Sequence, residues 1–299
     1  MHVTLPVYPD YKKIDIEDKD YFLEFCNKYP PYSDFNLLSL LSWNTANSNS
    51  YSVLNGNLVI KIKDYLENTS LYSLMGDNDI DTSISKLLAQ TPKLSFVPED
   101  VISKIKQPEK FKITEDRDNF DYIISTQKVF KLDGHEFMHL RQDVQRFKRT
   151  NSLYETKLLD LKNAQTVNEV TTLSKKWFKD KHFDDEKQKE EEFILEAFLK
   201  YSAKFNCLHV GLYVNNILIA YIFSEIISDK MLLSHFGVSD KDFECSSPMM
   251  EYEAAKYFYE HGYTYQNQEQ DAGLLGLRAA KLFYNPEYFL KKFIITLAT

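Results

Sequence analysis

The sequence predicts an α/β fold of the α+β type, in which mixed, mostly antiparallel sheets are flanked by helices, and it predicts this arrangement twice. Helical and strand-like patterns follow one another in the same order in both halves of the chain. Each half has a hairpin signal between two β-type runs, Asn55-Gly56 in the first and Asn215-Asn216 in the second. The next strand ends at Gly76 in the first half and at Gly237 in the second, at nearly equal distances from these turns.

The first half begins with an amphipathic helix at residues 17–29, which Pro30 and Pro31 end, followed by a second helix capped by Ser33. The later predicted elements are a hairpin at 51–63, a strand at 70–76, a helix at 81–90, a strand at 93–98, a helix at 99–106 and a strand near 121–125.

The second half repeats this order. Its predicted elements are helices at 167–179 and 190–205, a hairpin at 209–223, a strand at 231–237, a helix at 248–261, a strand at 263–268, and a closing helix and strand. We therefore predict two domains, residues 1–150 and 151–299, of which the second carries the site.

A helix that opens after Gly134 is expected to link the two halves. His139, Gln142, Arg146 and Arg149 form one polar, basic stripe along it, because their spacing is that of one helix face. Such a stripe is typical of a solvated face, but it could also line a cleft that binds a phosphate-bearing donor.

The composition indicates a packed globular protein: 43% of the residues are hydrophobic, and no apolar run is long enough to cross a bilayer. The N-terminal residues do not resemble a secretion signal, and Cys26, Cys207 and Cys245 are odd in number and far apart, so a cytoplasmic location is expected. The net charge of −8 disfavours a surface coated for nucleic acid. The eight glycines are not clustered, which excludes the common glycine-rich nucleotide-binding loops.

Residues 267–286 concentrate the polar residues expected of a site, and they predict a strand, a tight turn and a helix. Alternation places Asn267, Glu269 and Asp271 on one face of the strand, and Asp271 is expected to cap a helix beginning near Ala272. Pro286 ends that helix, so Tyr284 is expected at its frayed, exposed end.

The cations and glycines of this helix suggest an anion site. Arg278 and Lys281 share one side of the helix, where they could bind an anionic ligand or pair with Glu269 and Asp271. Gly273 lies near the positive N-terminus, and Gly276 would allow a ligand or backbone to approach closely. The alternative is a capped helix with a solvated cationic face.

Two histidine patterns point to other chemistry. Residues 135–139 match H-E-x-x-H, in which two imidazoles on one helix face bind zinc, but Gly134 places His135 at the helix start and no third ligand follows, so we expect no metal. His235 lies near the end of a predicted strand and, with Glu225, could line the sheet surface beside Glu269. It could equally be a hydrogen-bonded core residue.

The sequence N-Q-E-Q-D-A-G-L-L-G-L-R-A-A-K-L-F-Y-N-P at 267–286 resembles a known signature, N-R-E-Q-D-x-G-x-x-G-L-R-x-A-K-x-S-Y-x-P. That signature belongs to stand-alone proteins related to the phosphatidylglycerol lysyltransferase C-terminal domain. The likeness extends to Y-S-D-F-N at 32–36, S-F-V-P-E at 95–99 and R-F-K-R-T-N at 146–151. The element order and the segment A-A-K-L-F-Y-N-P also resemble the GNAT acyltransferase superfamily.

The resemblance implies two tandem GNAT-like domains, with Tyr284 in the position of the tyrosine that protonates the leaving group. Three departures limit what it implies: the loop S-D-K-D-F-E-C-S-S at 239–247 lacks the glycines of a CoA pyrophosphate loop, Gln268 replaces an arginine, and Gly237-Val238 replaces a Glu-Lys pair. The membrane-anchored lysyltransferases have a different C-terminal signature, so their catalytic assignments do not carry over.

An acyltransferase is therefore expected. Its donor would be aminoacyl-tRNA, whose acceptor end could meet Arg146, Arg149, Arg278 and Lys281, or else an acyl-CoA. The acceptor would be an amine or hydroxyl of a small molecule, lipid headgroup or peptide. The candidate catalytic residues are Glu269 or His235 as the base, the neighbouring Asp271, and Tyr284 as the acid. The alternatives are a CoA-dependent N-acetyltransferase and, from other classes, a zinc hydrolase or a non-catalytic ligand-binding module.

Overall fold

A computed structural model describes residues 4–63 and 69–298, and it confirms the α/β class with mostly antiparallel sheets. The strands within these residues are β1 (Lys12–Lys13), β2 (Ser50–Leu54), β3 (Asn57–Lys63), β4 (Ser70–Met75), β5 (Leu94–Pro98), β6 (Phe111–Glu115), β7 (Asp121–Ser125), β8 (Tyr154–Leu158), β9 (Cys207–Val214), β10 (Ile217–Ser228), β11 (Met231–Ser239), β12 (Tyr265–Asn267), β13 (Tyr288–Leu290) and β14 (Lys292–Leu297). The α-helices are α1 (Lys19–Cys26), α2 (Leu37–Ser42), α3 (Ile80–Leu88), α4 (Glu99–Ile102), α5 (Thr126–Lys131), α6 (Met138–Thr150), α7 (Ala164–Asp180), α8 (Asp185–Ser202), α9 (Ser246–Glu260) and α10 (Leu275–Leu282).

Both predicted hairpins are confirmed, since β2 pairs with β3 and β9 with β10. The residues of each turn, Asn55-Gly56 and Asn215-Asn216, have positive φ angles, as tight hairpin turns require. The second predicted helix begins later than expected: Ser33–Phe35 form a single 3-10 turn, and α2 starts at Leu37 because the Asn36 side chain accepts a hydrogen bond from the Ser39 amide.

The described chain divides into two compact units. The first contains the residues up to Asp121 together with Gln270–Leu274 and the residues from Phe289 onward, and the second contains Tyr122–Glu269 and Leu275–Tyr288. This division differs from a simple cut at residue 150, because α6 lies in the second unit and two C-terminal segments lie in the first.

The strand order within the sheets explains this division. The strands of the first unit form the orders β1-β2-β3-β4 and β5-β14-β6, whereas the seven-stranded sheet has the order β13-β7-β12-β11-β10-β9-β8. β4 and β11, the strands expected to correspond, each lie beside the second strand of a hairpin. β14 comes from the end of the chain and pairs with β5, while β7 comes from the first half and pairs with β12.

A buried ion cluster is a feature of the first unit. The Nζ atom of Lys292 on β14 lies 2.7 Å from Asp121, contacts Asp34, and lies 3.3 Å from the Ser33 hydroxyl. Burial alone would lower the pKa of Lys292, but the negative charges of Asp121 and Asp34 raise it. The Y-S-D-F-N motif therefore supplies partners for a buried cation, and a buried charge with such partners has an obvious structural role.

Candidate functional site

His235 is held between two carboxylates in the second unit. Its Nε2 atom lies 3.4 Å from Glu225 Oε2, and its Nδ1 atom lies 3.4 Å from Glu269 Oε1. The side chains of His235 and Glu225 are 1% and 3% exposed, whereas that of Glu269 is 16% exposed. Of the three groups, Glu269 is therefore the one that a reactant can reach most easily.

The backbone of the sheet explains why these side chains meet. β11 pairs with β10 in a register that shifts between Phe223 and Ser224, so that His235 is the extra residue of a β-bulge. β11 also runs parallel to β12 and pairs with it from Met231 to Leu233, and then continues to Ser239. His235 thus lies just beyond the paired segment, close to where the chain leaves β12 towards Glu269.

The environment of His235 keeps it protonated at neutral pH. Burial alone would lower its pKa, but the carboxylates of Glu225 and Glu269, each 3.4 Å from a ring nitrogen, outweigh burial and raise the pKa to about 9. A protonated imidazole has no lone pair with which to accept a proton. The arrangement therefore suits His235 as a charge partner of Glu269 better than as the base.

Aromatic rings enclose the histidine. The Phe198 ring lies 5.3 Å from the ring of His235, 5.2 Å from that of Phe223 and 5.1 Å from that of Phe236. His209 lies 4.8 Å from Phe223 in the same cluster, and burial followed by the charge of His235 lowers its pKa to about 3. The two histidines of this cluster therefore differ in charge at neutral pH.

The segment after β12 turns sharply at Glu269, whose φ angle is 57°. The Asn267 side chain is buried, and its Oδ1 atom accepts a hydrogen bond from the Glu269 amide at 2.7 Å. Asn267 therefore fixes this turn. Asp271 belongs to the first unit, where it is buried and lies 3.4 Å from Arg117.

The expectation that the helix begins near Ala272 is wrong, because α10 begins at Leu275. Ala272 and Gly273 have φ angles of 50° and 74°, which are not those of a right-handed α-helix, so neither residue can belong to α10. The Asp271 carboxylate accepts a hydrogen bond from the Gly273 amide at 2.9 Å, so it caps a turn that precedes the helix. A Cβ atom at Gly276 would meet no described atom within 4 Å.

The two cationic side chains of α10, Arg278 and Lys281, are both half-buried. Gln268, which accepts a hydrogen bond from Lys281, is also half-buried. The Lys281 ammonium donates a hydrogen bond to the Gln268 carbonyl oxygen and lies 5.8 Å from the centre of the Tyr122 ring. Lys281 thus ties α10 to the end of β12, while a role for Arg278 and Lys281 in binding an anionic donor remains a prediction.

The expectation that Tyr284 is exposed is wrong, because its side chain is only 8% exposed and packs in the core of the second unit. Its pKa is raised well above the usual value by burial and by the charge of Glu251, while a hydrogen bond with Ser247 acts in the opposite direction. Tyr284 is therefore a neutral phenol at physiological pH. Its side chain points into the core after α10 ends, which is why it is not exposed.

Glu251 is a buried carboxyl that the sequence patterns did not single out. It lies on α9, and its Oε1 atom accepts a hydrogen bond from Gln268 Nε2 at 2.7 Å. Burial raises its pKa to about 7, and hydrogen bonds from Gln266 and Gln268 only partly counteract this. The sequence held one sign of this residue: Glu251 shares an otherwise apolar helix face with Met250 and Ala254.

The basic stripe of the linker helix is exposed. Arg146 lies 2.8 Å from Glu244, and both side chains are exposed, while Arg149 is exposed in the last turn of α6. The H-E-x-x-H segment does not form the geometry of a zinc peptidase, because α6 begins at Met138 and His135 precedes it. Among residues 4–63 and 69–298, no three His, Cys, Asp or Glu side chains are grouped to bind a metal ion.

No helix in the described part of the chain is both long and apolar enough to cross a membrane.

The chain has an acyltransferase-type fold, as the family that it matches and the structures that it resembles show. A conserved protein of unknown function from Bacteroides thetaiotaomicron is similar to the chain, with 25% identity, a TM-score of 0.82, and coverage of 99% of this chain and 100% of that one. The fold is also that of L-PGS from Bacillus licheniformis, at 15% identity and a TM-score of 0.61, with 95% and 92% of the two chains covered.

A third structure is the C-terminal domain (DUF2156) assigned to a lysylphosphatidylglycerol synthetase from Agrobacterium fabrum. It is 12% identical, with a TM-score of 0.64 and coverage of 94% of this chain and 91% of that one. No functionally curated protein matches the chain. Residues 28–296 match the family described as phosphatidylglycerol lysyltransferase, C-terminal, and the chain belongs to that family.

Proposed function

We propose that the chain transfers an aminoacyl group from aminoacyl-tRNA to an amine or hydroxyl acceptor, with Glu269 as the base that takes the acceptor's proton. The observation that carries this proposal is the group of Glu225, His235 and Glu269. A carboxylate that is partly open to solvent and held by a buried cation is well placed to accept a proton. Membership of a family named for lysyl transfer supports the aminoacyl class of donor.

The loop before α9 bears on the alternative donor, an acyl-CoA. Asp240, Asp242 and Glu244 all precede the N-terminus of α9, and Lys176 lies 2.7 Å from Asp240 and 2.5 Å from Asp242. A CoA pyrophosphate would need closely approachable backbone amides and available positive charge at this helix start. The loop has no glycine, and its carboxylates pair with the cations nearby, Lys176 and Arg146. This loop disfavours a CoA donor.

The reaction forms one bond to the acyl carbon and breaks another. The acceptor nitrogen or oxygen attacks the ester carbonyl of aminoacyl-tRNA, and Glu269 takes the proton that the acceptor loses. The bond to the ribose oxygen then breaks, and that oxygen takes up a proton. In this proposal the proton taken up by Glu269 is passed on to that oxygen, because the Tyr284 phenol is packed in the core of the second unit. The imidazolium of His235 holds the Glu269 carboxylate in place.

The test uses the purified chain, labelled aminoacyl-tRNA and a panel of amine and hydroxyl acceptors, with acetyl-CoA as the competing donor. Glu269→Gln removes the base and keeps the size of the side chain, so transfer should fall by about 100-fold or more. The control is Glu253→Gln, a buried carboxylate on α9 that lies 3.3 Å from Thr156.

Transfer at an undiminished rate by Glu269→Gln would reject Glu269 as the base. Use of acetyl-CoA with no use of aminoacyl-tRNA would establish the N-acetyltransferase alternative, and binding of the donors without turnover would indicate a ligand-binding module.

A further inference from the structure

Gln268 is fixed at three points in the second unit. Its amide donates a hydrogen bond to the Tyr122 carbonyl oxygen at 2.9 Å, and its own carbonyl oxygen accepts one from Lys281. Its side-chain Nε2 atom donates to Glu251 Oε1 at 2.7 Å. The first two contacts fix the backbone, and the third ties the side chain to helix α9.

The residue that follows Gln268 is the proposed base. Glu269 has a left-handed backbone conformation. Its amide donates a hydrogen bond to the Asn267 side chain, and its carbonyl oxygen accepts one from the Tyr122 amide at 3.2 Å. A non-glycine residue in this conformation costs about 1 kcal/mol or more, so neighbouring contacts must maintain it. The contact between Glu251 and Gln268 is next to this strained position.

Glu251 is buried among groups that give it a defined hydrogen-bonding role. It is 6% exposed, and the amides of Gln266 and Gln268 on the β12 side and the phenol of Tyr284 face it. Gln266 continues the polar row, since its Nε2 atom donates to Ser234 Oγ at 2.9 Å, and Ser234 lies 2.8 Å from Ser224. Burying a carboxyl among neutral partners is unfavourable, which argues that this one has a function beyond packing.

We propose that Glu251 is a positioning residue: by holding the side chain of Gln268, it fixes the turn at Glu269 and so places the Glu269 carboxylate against His235. The kinetic part of this inference rests on the proposed function, and the structural part does not. An amide oxygen can accept the bond from Gln268 as well as a carboxylate oxygen can, so Glu251→Gln should preserve the arrangement, whereas Glu251→Ala should release it.

The test compares Glu251→Gln, Glu251→Ala and the control Glu253→Ala in the full chain by amide hydrogen exchange and by aminoacyl transfer. We expect Glu251→Ala to speed exchange at the amides of Gln268 and Glu269 about tenfold and to lower transfer by a similar factor. Glu251→Gln should stay within about twofold of the wild type in both measurements, because its amide oxygen can still accept the hydrogen bond from Gln268. Glu253→Ala should change neither.

Gln268→Leu removes the same hydrogen bond from the other side and serves if Glu251→Ala does not fold. The proposal is overturned if exchange at Gln268 and Glu269 is unchanged in Glu251→Ala or Gln268→Leu, or if Glu253→Ala has an equal effect. If the wild-type chain transfers nothing, the proposed function fails while the exchange measurements still decide the role of Glu251.

Discussion

The charge of a single residue, His235, decides how the site can work. Two carboxylates lie 3.4 Å from the ring nitrogens, and the side chain is almost completely buried. A neutral imidazole in that position would leave two carboxylates close together without a compensating charge, which is costly in a buried place. The protonated state therefore belongs to the folded structure itself.

This coupling predicts how stability depends on pH. The pKa of His235 is about 9 in the folded chain and 6.5 ordinarily, so its contribution is fully present below pH 6.5 and is lost as the pH rises through 9. The lost stability should be on the order of 3 kcal/mol. Denaturant unfolding from pH 6 to pH 9.5 should show this decline in the wild type and a much smaller one in His235→Gln.

His209 provides the matched control for that measurement. Its pKa is lowered to about 3, so its contribution is present above pH 6.5 and is lost as the pH falls. His209→Gln should therefore change stability on the acid side and leave the alkaline decline in place. An equal alkaline decline in His235→Gln would contradict the assignment of the proton to His235.

Sequence patterns identified part of this site. The sequence predicted that His235 and Glu225 could line the sheet surface beside Glu269, and the structure brings these three together. The expected strand alternation from Asn267 to Asp271 is wrong, because β12 ends at Asn267 and Glu269 has a positive φ angle. Glu251 could not be identified in the same way, because its contact with Gln268 joins a helix to a strand end. Such a contact depends on tertiary packing, which one-dimensional periodicity does not contain.

At the scale of single elements, the start of α10 shows where local signals fail. Asp271 followed by an apolar run is a typical helix start, yet the helix begins at Leu275. The positive φ angles of Ala272 and Gly273 delay it, and no sequence pattern distinguishes a capping aspartate from one that closes a turn. The strand and hairpin assignments were more reliable, because their turn residues are specific.

Two glycines of this segment give opposite predictions. A Cβ atom at Gly273 would lie 3.1 Å from Asp118 Oδ2, and the φ angle of 74° strains any other residue, so Gly273→Ala should destabilise by about 1–2 kcal/mol. Gly276 lies within α10 with open space around it, so Gly276→Ala should stabilise by up to about 1 kcal/mol. Thermal unfolding of the two variants measures both effects, and shifts of the melting temperature in the same direction would contradict the assigned start of α10.

At the scale of the whole molecule, each unit depends on a strand from the other half of the sequence. β14 lies between β5 and β6, and β7 lies between β12 and β13. The order of elements along the chain predicted the repeat of helices, hairpin and strands in each half, but it could not predict which strand joins which sheet. Pairing between residues this far apart is set by tertiary structure, so a boundary drawn at residue 150 misses it.

The strand order makes a prediction about fragments. A fragment of residues 1–150 contains β7 but lacks β14, and a fragment of residues 151–299 contains β14 but lacks β7. The missing β7 would take away the buried side chains of Tyr122, Ile123 and Ile124. Each such side chain contributes about 1.5–3 kcal/mol, which together is comparable with the whole stability of a typical domain.

Neither fragment should therefore unfold cooperatively on its own, and mixing the two should restore a single folded species. Circular dichroism during heating, for each fragment and for the mixture, measures this directly. The control is the intact folded chain cleaved at a protease site introduced between Thr150 and Leu153, which keeps every strand and should stay folded. Cooperative unfolding of residues 151–299 alone, at a temperature near that of the intact chain, would show that the second unit does not need β7 and would contradict the exchange of strands.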